Sequence, residues 1–347
     1  MLTSPVRLDR NEVPFPAPPA VIAAAQQGLS RLNRYADAED LARLRQLLAT
    51  YAGVEADQVV LGPGSDILLR EMIHAFGGDR TVVMVSPSFL PTVEVARETA
   101  ARWIGLRLSP PTFDLQPELL LTAVSQPCLI IIDHPNNPTG QMMVERETVR
   151  SVLDRHGTLL VIDEAYHEFA RTSAQEAEGQ RGTFVDLVAD YTNLAVTRTL
   201  DKAFSLAGAR VGYGVAGERF RPVFSSFYPL LPQPSLYAAL AALEHPDYAQ
   251  QNVARLIEER ERLRQALAET EARVYPSHTN FLLVRSPVPH VAAQLRDRGV
   301  LVSDTSNQMP PGFIRVSVGT RQENDAFLAA FEQVIGGEDV ASPSRTS

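Results

Sequence analysis

The sequence predicts an α/β protein, with a large domain built on a mostly parallel sheet of seven-stranded type covered by helices, followed by a smaller α+β domain. Three observations carry this. Residues 128–132 (Cys-Leu-Ile-Ile-Ile) and 158–162 (Thr-Leu-Leu-Val-Ile) are short unbroken apolar runs, the pattern of strands buried on both faces. Stretches with helical spacing separate such runs, as a chain of parallel strand–helix units requires. Past Pro234 the pattern changes to long helix-forming segments and then short strands, which marks a second domain.

In chain order, residues 8–19 are rich in proline and read as an extended arm, because each proline biases its predecessor away from the helical region. Residues 21–32 read as a short helix. Leu41, Leu44, Leu47, Leu48 and Tyr51 recur at helical spacing, and Gly53 suits the stop. Residues 58–61 read as a strand that turns through Gly62, Pro63, Gly64, Ser65 and Asp66 into an apolar helix over 67–76. Further strands are expected at 81–85, 128–132, 158–162, 194–197 and 210–213. Residues 236–267 read as a helix, a break at His245-Pro246, and a long amphipathic helix with Glu258, Glu259 and Arg260 on its wet side. Strands at 280–284, 301–302 and 314–318, and a closing helix through Phe327, Leu328 and Phe331, complete the small domain. The expected divisions are an arm and first helix over 1–30, a large domain over 31–234, a small domain over 235–335 and a disordered polar tail over 336–347.

At 347 residues, 45% hydrophobic and 21% charged, the chain can bury a large core. Its net charge of -9 argues against nucleic acid or an anionic membrane as partner, so any phosphate has to be held by local arginines and backbone amides. The single cysteine, Cys128, excludes a disulfide framework and sits in an apolar run as an inert buried thiol. There is no signal-peptide pattern and no apolar run near the roughly 20 residues of a membrane helix, so a cytoplasmic location is expected. The seven histidines lack metal-ligand spacing, and no Gly-x-Ser-x-Gly elbow is present, so neither a metal site nor a serine triad is expected.

The chemistry gathers around residues 198–213, Arg-Thr-Leu-Asp-Lys-Ala-Phe-Ser-Leu-Ala-Gly-Ala-Arg-Val-Gly-Tyr, with Lys202 in a turn-like segment and Arg210 eight residues later. A lysine amine forms a Schiff base with an aldehyde and an arginine grips a phosphate, so the pair suits pyridoxal 5'-phosphate. Upstream, the apolar runs end in Asp133-His134-Pro135-Asn136-Asn137-Pro138-Thr139-Gly140 and in Asp163-Glu164-Ala165-Tyr166. Strand ends are where an open α/β sheet collects its ligand-binding side chains, so three of them point to one pocket. Taken singly, each of these residues also has a plainer reading: Lys202 as a solvated charge, Asp163 as a helix cap, Asn137 and Tyr166 as turn residues, Phe89 as core, and Arg315 as half of a surface ion pair.

Taken together, the PNNPTG, VIDEAY and RTLxKAFxLAGxRVGY segments in that order resemble the fold-type I pyridoxal-phosphate aminotransferases, from about Leu8 to about Phe331, and among them histidinol-phosphate aminotransferase most closely. The resemblance implies transfer of an amino group between a small-molecule amino donor and a 2-oxo acid, by a ping-pong cycle, with histidinol phosphate and 2-oxoglutarate as the usual pair. It implies Lys202 as cofactor anchor and proton carrier, Asp163 at the pyridine nitrogen, and Asn137 and Tyr166 at the ring hydroxyl. Phe89 stacks on the ring. Gly64, Ser65, Asp66, Thr199 and Arg210 hold the phosphate, joined by Tyr35 from a second subunit, which makes the protein a homodimer. Arg315, Asn280, Asn11 and Phe15 fall at substrate-binding positions.

Three positions depart from the histidinol-phosphate enzymes: Phe15 stands where a tyrosine is usual, Ser303 where a second arginine is, and Asp201 where a serine precedes the lysine. The first two remove groups that grip a substrate phosphate. Transamination of an aromatic or other amino acid is therefore a second reading, and a decarboxylase like the threonine-phosphate decarboxylases a third. A cofactor-sensing module is opposed by the lack of a DNA-binding segment. Asp201, a carboxylate beside a phosphate site, has to turn away or pair with Arg198 or Arg210.

Overall fold

The computed structural model describes residues 5–124, 127–170, 182–225 and 231–337. The tail expected to be disordered lies outside these residues from 338 onwards. The arm opens with a short strand, β1 (Val6–Leu8), and runs without regular structure to α1 (Pro19–Leu29). Pro19 enters the helix at its first position, where a missing N–H costs no helical bond. α1 ends three residues before the expected point. There, Ser30 and Arg31 turn their N–H groups to Gln27 and Gly28 in tighter three-residue steps.

α2 (Ala38–Ala52) stops at Gly53, whose φ of 72° is left-handed, and β2 (Val59–Gly62) then leads into α3 (Ser65–Phe76). After these come β3 (Thr81–Ser86), α4 (Leu90–Thr99), β4 (Arg102–Arg107), α5 (Pro117–Ala123), β5 (Cys128–Asp133), α6 (Arg146–Leu153), β6 (Thr158–Asp163), β7 (Leu194–Thr199), β8 (Gly212–Ala216) and α7 (Arg221–Ser225). The strands form a seven-stranded sheet in the order β2-β8-β7-β6-β5-β3-β4, with β7, β6, β5, β3 and β4 parallel and β8 antiparallel to both neighbours. Alternate residues feed opposite cores. Val83, Ile130, Leu160 and Val196 pack on one face, and Val82, Leu129, Leu159 and Ala195 on the other, which is why β5 and β6 read as unbroken apolar runs.

The sequence reading missed β4 and placed β8 two residues early. β4 is a half-buried edge strand bounded by Arg102 and Arg107, so its apolar run is short; the Arg97 guanidinium lies 4.4 Å over the Trp103 ring beside it. Arg210 and Val211 belong to the loop that precedes β8, and Arg210 itself has a φ of 54° that no strand residue adopts.

The chain continues through α8 (Gln233–Glu244), α9 (Asp247–Ala268), β9 (Arg273–Val274), β10 (Phe281–Arg285), α10 (Val291–Asp297), β11 (Val300–Asp304), β12 (Phe313–Ser317) and α11 (Arg321–Ile335). A second sheet runs in the order β1-β11-β12-β10-β9, so the first described residues of the arm pair, parallel, with β11 near the other end of the chain. Leu8, Leu263, Val284, Val316, Phe327 and Phe331 form its separate core. α11 starts with a reciprocal cap in which Thr320 and Glu323 satisfy each other's backbone N–H. Arg260, expected on the wet side of α9, is instead buried and donates from Nη1 to the Thr279 carbonyl at 2.8 Å, just before β10. A long aliphatic stem lets an arginine cross an apolar interface to reach such an acceptor, so charge alone misplaces it.

Candidate active site

The C-terminal ends of the parallel strands open onto a cavity of about 240 Å³. Strand ends β5, β6 and β7 deliver Asp133, Asp163 and Thr199; the loop after β7 delivers Asp201, Lys202 and Arg210; and α3 presents Ser65 and Asp66 at its N-terminus. Phe89, Asn137 and Tyr166 come from the loops that follow β3, β5 and β6. The small sheet contributes Arg315 from β12, and the arm contributes Arg10 and Asn11.

Asp163 is buried and accepts from Thr197 Oγ1 at 2.8 Å. Burial, with the nearby Asp133 carboxylate adding to it, pushes its carboxyl up to about 7. Burial likewise raises Asp133 to about 6, against hydrogen bonds from the Phe89 N–H and Ser88 Oγ, both at 2.9 Å. Through those bonds Asp133 fixes the segment that carries Phe89. The neutral His134 ring, lowered by burial to about 3, accepts the Met143 N–H on Nδ1 at 3.0 Å, and Asn136 Oδ1 accepts from Thr139 N and Oγ1 at 3.1 and 2.7 Å. These inward bonds hold the turn that aims Asn137 into the cavity.

Lys202 Nζ lies 5.9 Å from the Tyr166 ring centroid, and the Tyr166 hydroxyl accepts from Asn11 Nδ2 at 2.9 Å. Arg210 donates from Nη1 to Asp201 and from Nη2 to Asp66 at 2.5 Å. Of the two arginines open to Asp201, it is Arg210 that takes it. Arg198 is committed to the buried Glu164, with Nη2 to Oε2 at 2.8 Å. Gly64, with a φ of 100°, caps α3 at the place where a side chain would collide with the Arg210 guanidinium.

Arg315 donates to Asn137 Oδ1 at 2.6 Å and to the Asp9 carbonyl at 2.9 Å, and its Nε has no partner among the described residues. Arg10 has a two-thirds exposed side chain whose nearest acid is Asp9, 3.6 Å away. The sequence reading missed Arg10 and gave Asp133 no role. Asp133 was accessible as a strand-end carboxylate in register with Asp163, whereas nothing in the sequence singles out Arg10.

Four expected positions do not line this cavity. Asn280 is fully buried behind it and donates from Nδ2 to the Asn11 carbonyl at 2.9 Å, supporting the arm. Phe15 lies under the Arg255 guanidinium, 4.6 Å from ring centroid to carbon. Gly64 contributes backbone only, and Tyr35 is 78% exposed.

Residues 3–331 match the pattern of the family described as Aminotransferase class I and II, nearly the whole chain. The chain belongs to the class I and II aminotransferases. A histidinol-phosphate aminotransferase from Thermococcus gammatolerans is 35% identical over 342 residues, 96% of this chain and 93% of that protein. Among solved structures, histidinol-phosphate aminotransferase from Sinorhizobium meliloti in complex with pyridoxal-5'-phosphate superposes with a TM-score of 0.82 at 26% identity, over 96% of this chain and 91% of that one. L-threonine-O-3-phosphate decarboxylase from Porphyromonas gingivalis shares the fold at 20% identity and a TM-score of 0.79, over 95% of this chain and 99% of that one.

Aminotransferases of this family depend on pyridoxal 5'-phosphate, and the residues of this aminotransferase fit that group. A carboxyl held near neutrality by burial gains most from a cationic ring nitrogen, which Asp163 offers. The first N–H groups of α3 have no intrahelical partners and, with Arg210, are suited to an anion in the same cavity. Lys202 lies among these groups.

Proposed function

We propose that this aminotransferase is a histidinol-phosphate aminotransferase, exchanging an amino group between histidinol phosphate and 2-oxoglutarate by a ping-pong cycle. The convergence of Lys202, Asp163 and Arg210 with the two guanidiniums of Arg10 and Arg315 in one cavity carries the reading. When bound, pyridoxal phosphate supplies a conjugated ring that accepts the electron pair left as the substrate's Cα–H bond breaks.

The protein's part is binding, orientation and proton movement. Lys202 would anchor the cofactor, and its Nζ would carry the proton taken from the substrate's Cα. Asp163 keeps the pyridine nitrogen protonated, and Asn137 and Tyr166 hydrogen-bond the ring hydroxyl. Ser65, Asp66, Thr199 and Arg210, with backbone amides from Gly64 onwards, hold the cofactor phosphate. Phe89, which lines the cavity, would stack on the ring.

Arg315 takes the anionic end of the substrate. The related histidinol-phosphate enzymes of similar length support histidinol phosphate as that substrate, and Arg10 stands in for the phosphate-gripping residues replaced by Phe15 and Ser303. Ser303 pairs with Arg315 across β11 and β12, so the missing arginine is a neighbour of the retained one. Phe15 and Asn280 act at one remove, through the arm that carries Arg10 and Asn11.

The working unit in this reading is a cytoplasmic homodimer. Ile22, Leu29, Leu32 and Tyr35 are large and exposed along α1 and the segment after it, an apolar strip that a second copy would cover while Tyr35 reaches the partner's phosphate site. Among the described residues no helix is long and apolar enough to cross a membrane.

The test is the absorbance of protein loaded with pyridoxal phosphate, read after separate additions of histidinol phosphate, glutamate and phenylalanine. Conversion to the pyridoxamine spectrum by histidinol phosphate and by glutamate is the expected result. Conversion by phenylalanine and glutamate with no response to histidinol phosphate would replace the reading by an aromatic aminotransferase, and release of labelled carbon dioxide by a decarboxylase.

A further inference from the structure

The cofactor phosphate site carries an excess of acid. Arg210 is already shared by two carboxylates, Asp66 from α3 and Asp201 from the loop after β7. Asp201 is fixed in place: its N–H donates to Thr199 Oγ1 at 3.1 Å, its Oδ2 accepts from Arg210, and its side chain is only 8% exposed. Its second oxygen, Oδ1, is buried without a hydrogen-bond partner among the described residues. An ionised carboxylate with a dry, unpaired oxygen is costly, and a neutral carboxyl costs less.

The remaining charged groups facing Asp201 are Lys202 beside it and Asp66 across the cavity. Asp163 and Asp133 line the same cavity from β6 and β5, and Arg198 is spent on Glu164. Burial, with Asp66 adding to it, raises the Asp201 carboxyl even with Arg210, Lys202 and the Thr199 hydroxyl pulling the other way. A phosphate entering here adds up to two negative charges to a cluster whose guanidinium is already matched twice.

We propose that Asp201 and the cofactor phosphate share a proton taken up on binding, so that cofactor affinity falls as pH rises through and above neutrality. The inference rests on the pyridoxal-phosphate site described above and adds to it a proton-coupled grip. The carboxyl takes the place of a neutral hydroxyl, and it supports the phosphate only in its protonated form or against a monoanionic phosphate. A proton shared by two acids belongs to the pair, so the coupled quantity is the number of protons bound and not the state of either group.

The experiment is titration of the cofactor-free dimer with pyridoxal phosphate from pH 6.5 to 8.5 by absorbance, together with calorimetry at pH 8 in two buffers of different ionisation heat. Wild type is compared with Asp201→Asn and Asp201→Ser, two neutral replacements of different size whose folding is checked by circular dichroism, and pyridoxal without its phosphate serves as control ligand. The expected result is that wild type takes up close to one proton more than either variant, and that its affinity falls about tenfold more steeply per pH unit. Equal proton uptake and parallel pH profiles would overturn the role of Asp201 alone. Wild type that binds pyridoxal as tightly as pyridoxal phosphate would overturn the phosphate site and the proposal with it.

Discussion

Asp133 and Asp163 stand directly opposite one another, Cα to Cα, in the register of β5 and β6, two buried carboxyls at one end of the cavity. Burial raises both, to about 6 and about 7, and the Asp133 carboxylate adds to the reluctance of Asp163 to ionise. One consequence is catalytic in the proposed function, where a protonated ring nitrogen beside Asp163 would stabilise its charged form. The other concerns the cofactor-free protein.

Well below the unfolded aspartate value of about 3.9, both carboxyls are neutral in the folded and unfolded chains alike. As pH rises, the unfolded chain ionises first, so stability is lost progressively until the folded carboxyls ionise too, at about 6 and about 7, after which the penalty is constant. The cofactor-free protein should therefore melt several degrees lower at pH 8 than at pH 5. Asp163→Asn should remove about 1.4 kcal/mol of that loss for every unit by which the carboxyl is raised, while transamination collapses. Thermal melts of both proteins across this range check it. A melting temperature that is flat in wild type would show that Asp163 is ionised without a cofactor.

Replacing Lys202 by Ala is expected to abolish the absorbance of anchored cofactor and to lower transfer by roughly 10³-fold or more, as for groups that act in the reacting step. Tyr35→Ala should weaken cofactor binding. If Tyr35 serves the partner's site, mixed dimers of the two variants contain one intact site, with Lys202 from one subunit and Tyr35 from the other, and at limiting cofactor are more active than either variant alone. Activity unchanged by subunit exchange would argue that Tyr35 has no role across the interface.

Arg10 and Arg315 should differ in what they recognise. Losing one charge-assisted bond corresponds to about 1.5–3 kcal/mol, or roughly 10- to 100-fold in KM. Arg315→Ala should raise KM for every anionic substrate, because its guanidinium is held on Asn137 and the Asp9 carbonyl and faces the cavity. Arg10→Ala should raise KM for a phosphate-bearing amine and leave glutamate nearly unchanged. Steady-state kinetics with each substrate varied separately gives the answer, and equal effects on both substrates would deny Arg10 a role in selectivity.

Glu164 and Arg198 make a buried ion pair, 0% and 2% exposed, that ties the end of β6 to β7 and reaches Thr183 and the Phe184 N–H. Breaking it with Arg198→Met leaves a buried carboxylate with its main cationic partner gone, for which about 3–5 kcal/mol of destabilisation is expected. Replacing both residues with Leu and Met should restore much of the loss. Chemical denaturation of the two variants measures this, and a double variant no more stable than the single one would mean that the pair also supports the strand ends through its hydrogen bonds.

Much of this site is legible before folding because its groups travel with their own local signals. Asn137 sits in a Pro-Asn-Asn-Pro-Thr-Gly turn, Asp163 ends an apolar run, and Lys202 and Arg210 lie in one loop. Such signals are short-range: alternation, turn residues and strand ends are all read within a few positions. Arg10 has none, because its place at the cavity depends on β1 pairing with β11, across most of the chain. Arg260 misled for the same reason, since a charged residue on an amphipathic helix is assigned to solvent unless its distant acceptor, the Thr279 carbonyl, is known.

The sequence by itself determined the family, the buried parallel strands and the turns that bear Lys202, Asp163 and Asn137, because periodicity and local turn chemistry encode them directly. Tertiary structure alone decided three things: that Asp201 pairs with Arg210 and not Arg198, that burial and the neighbouring Asp133 raise Asp163, and that Asn280 and Phe15 stand back while Arg10 comes forward. Each depends on how deeply a charge is buried and what lies across from it, and both are set by packing between segments far apart in the chain.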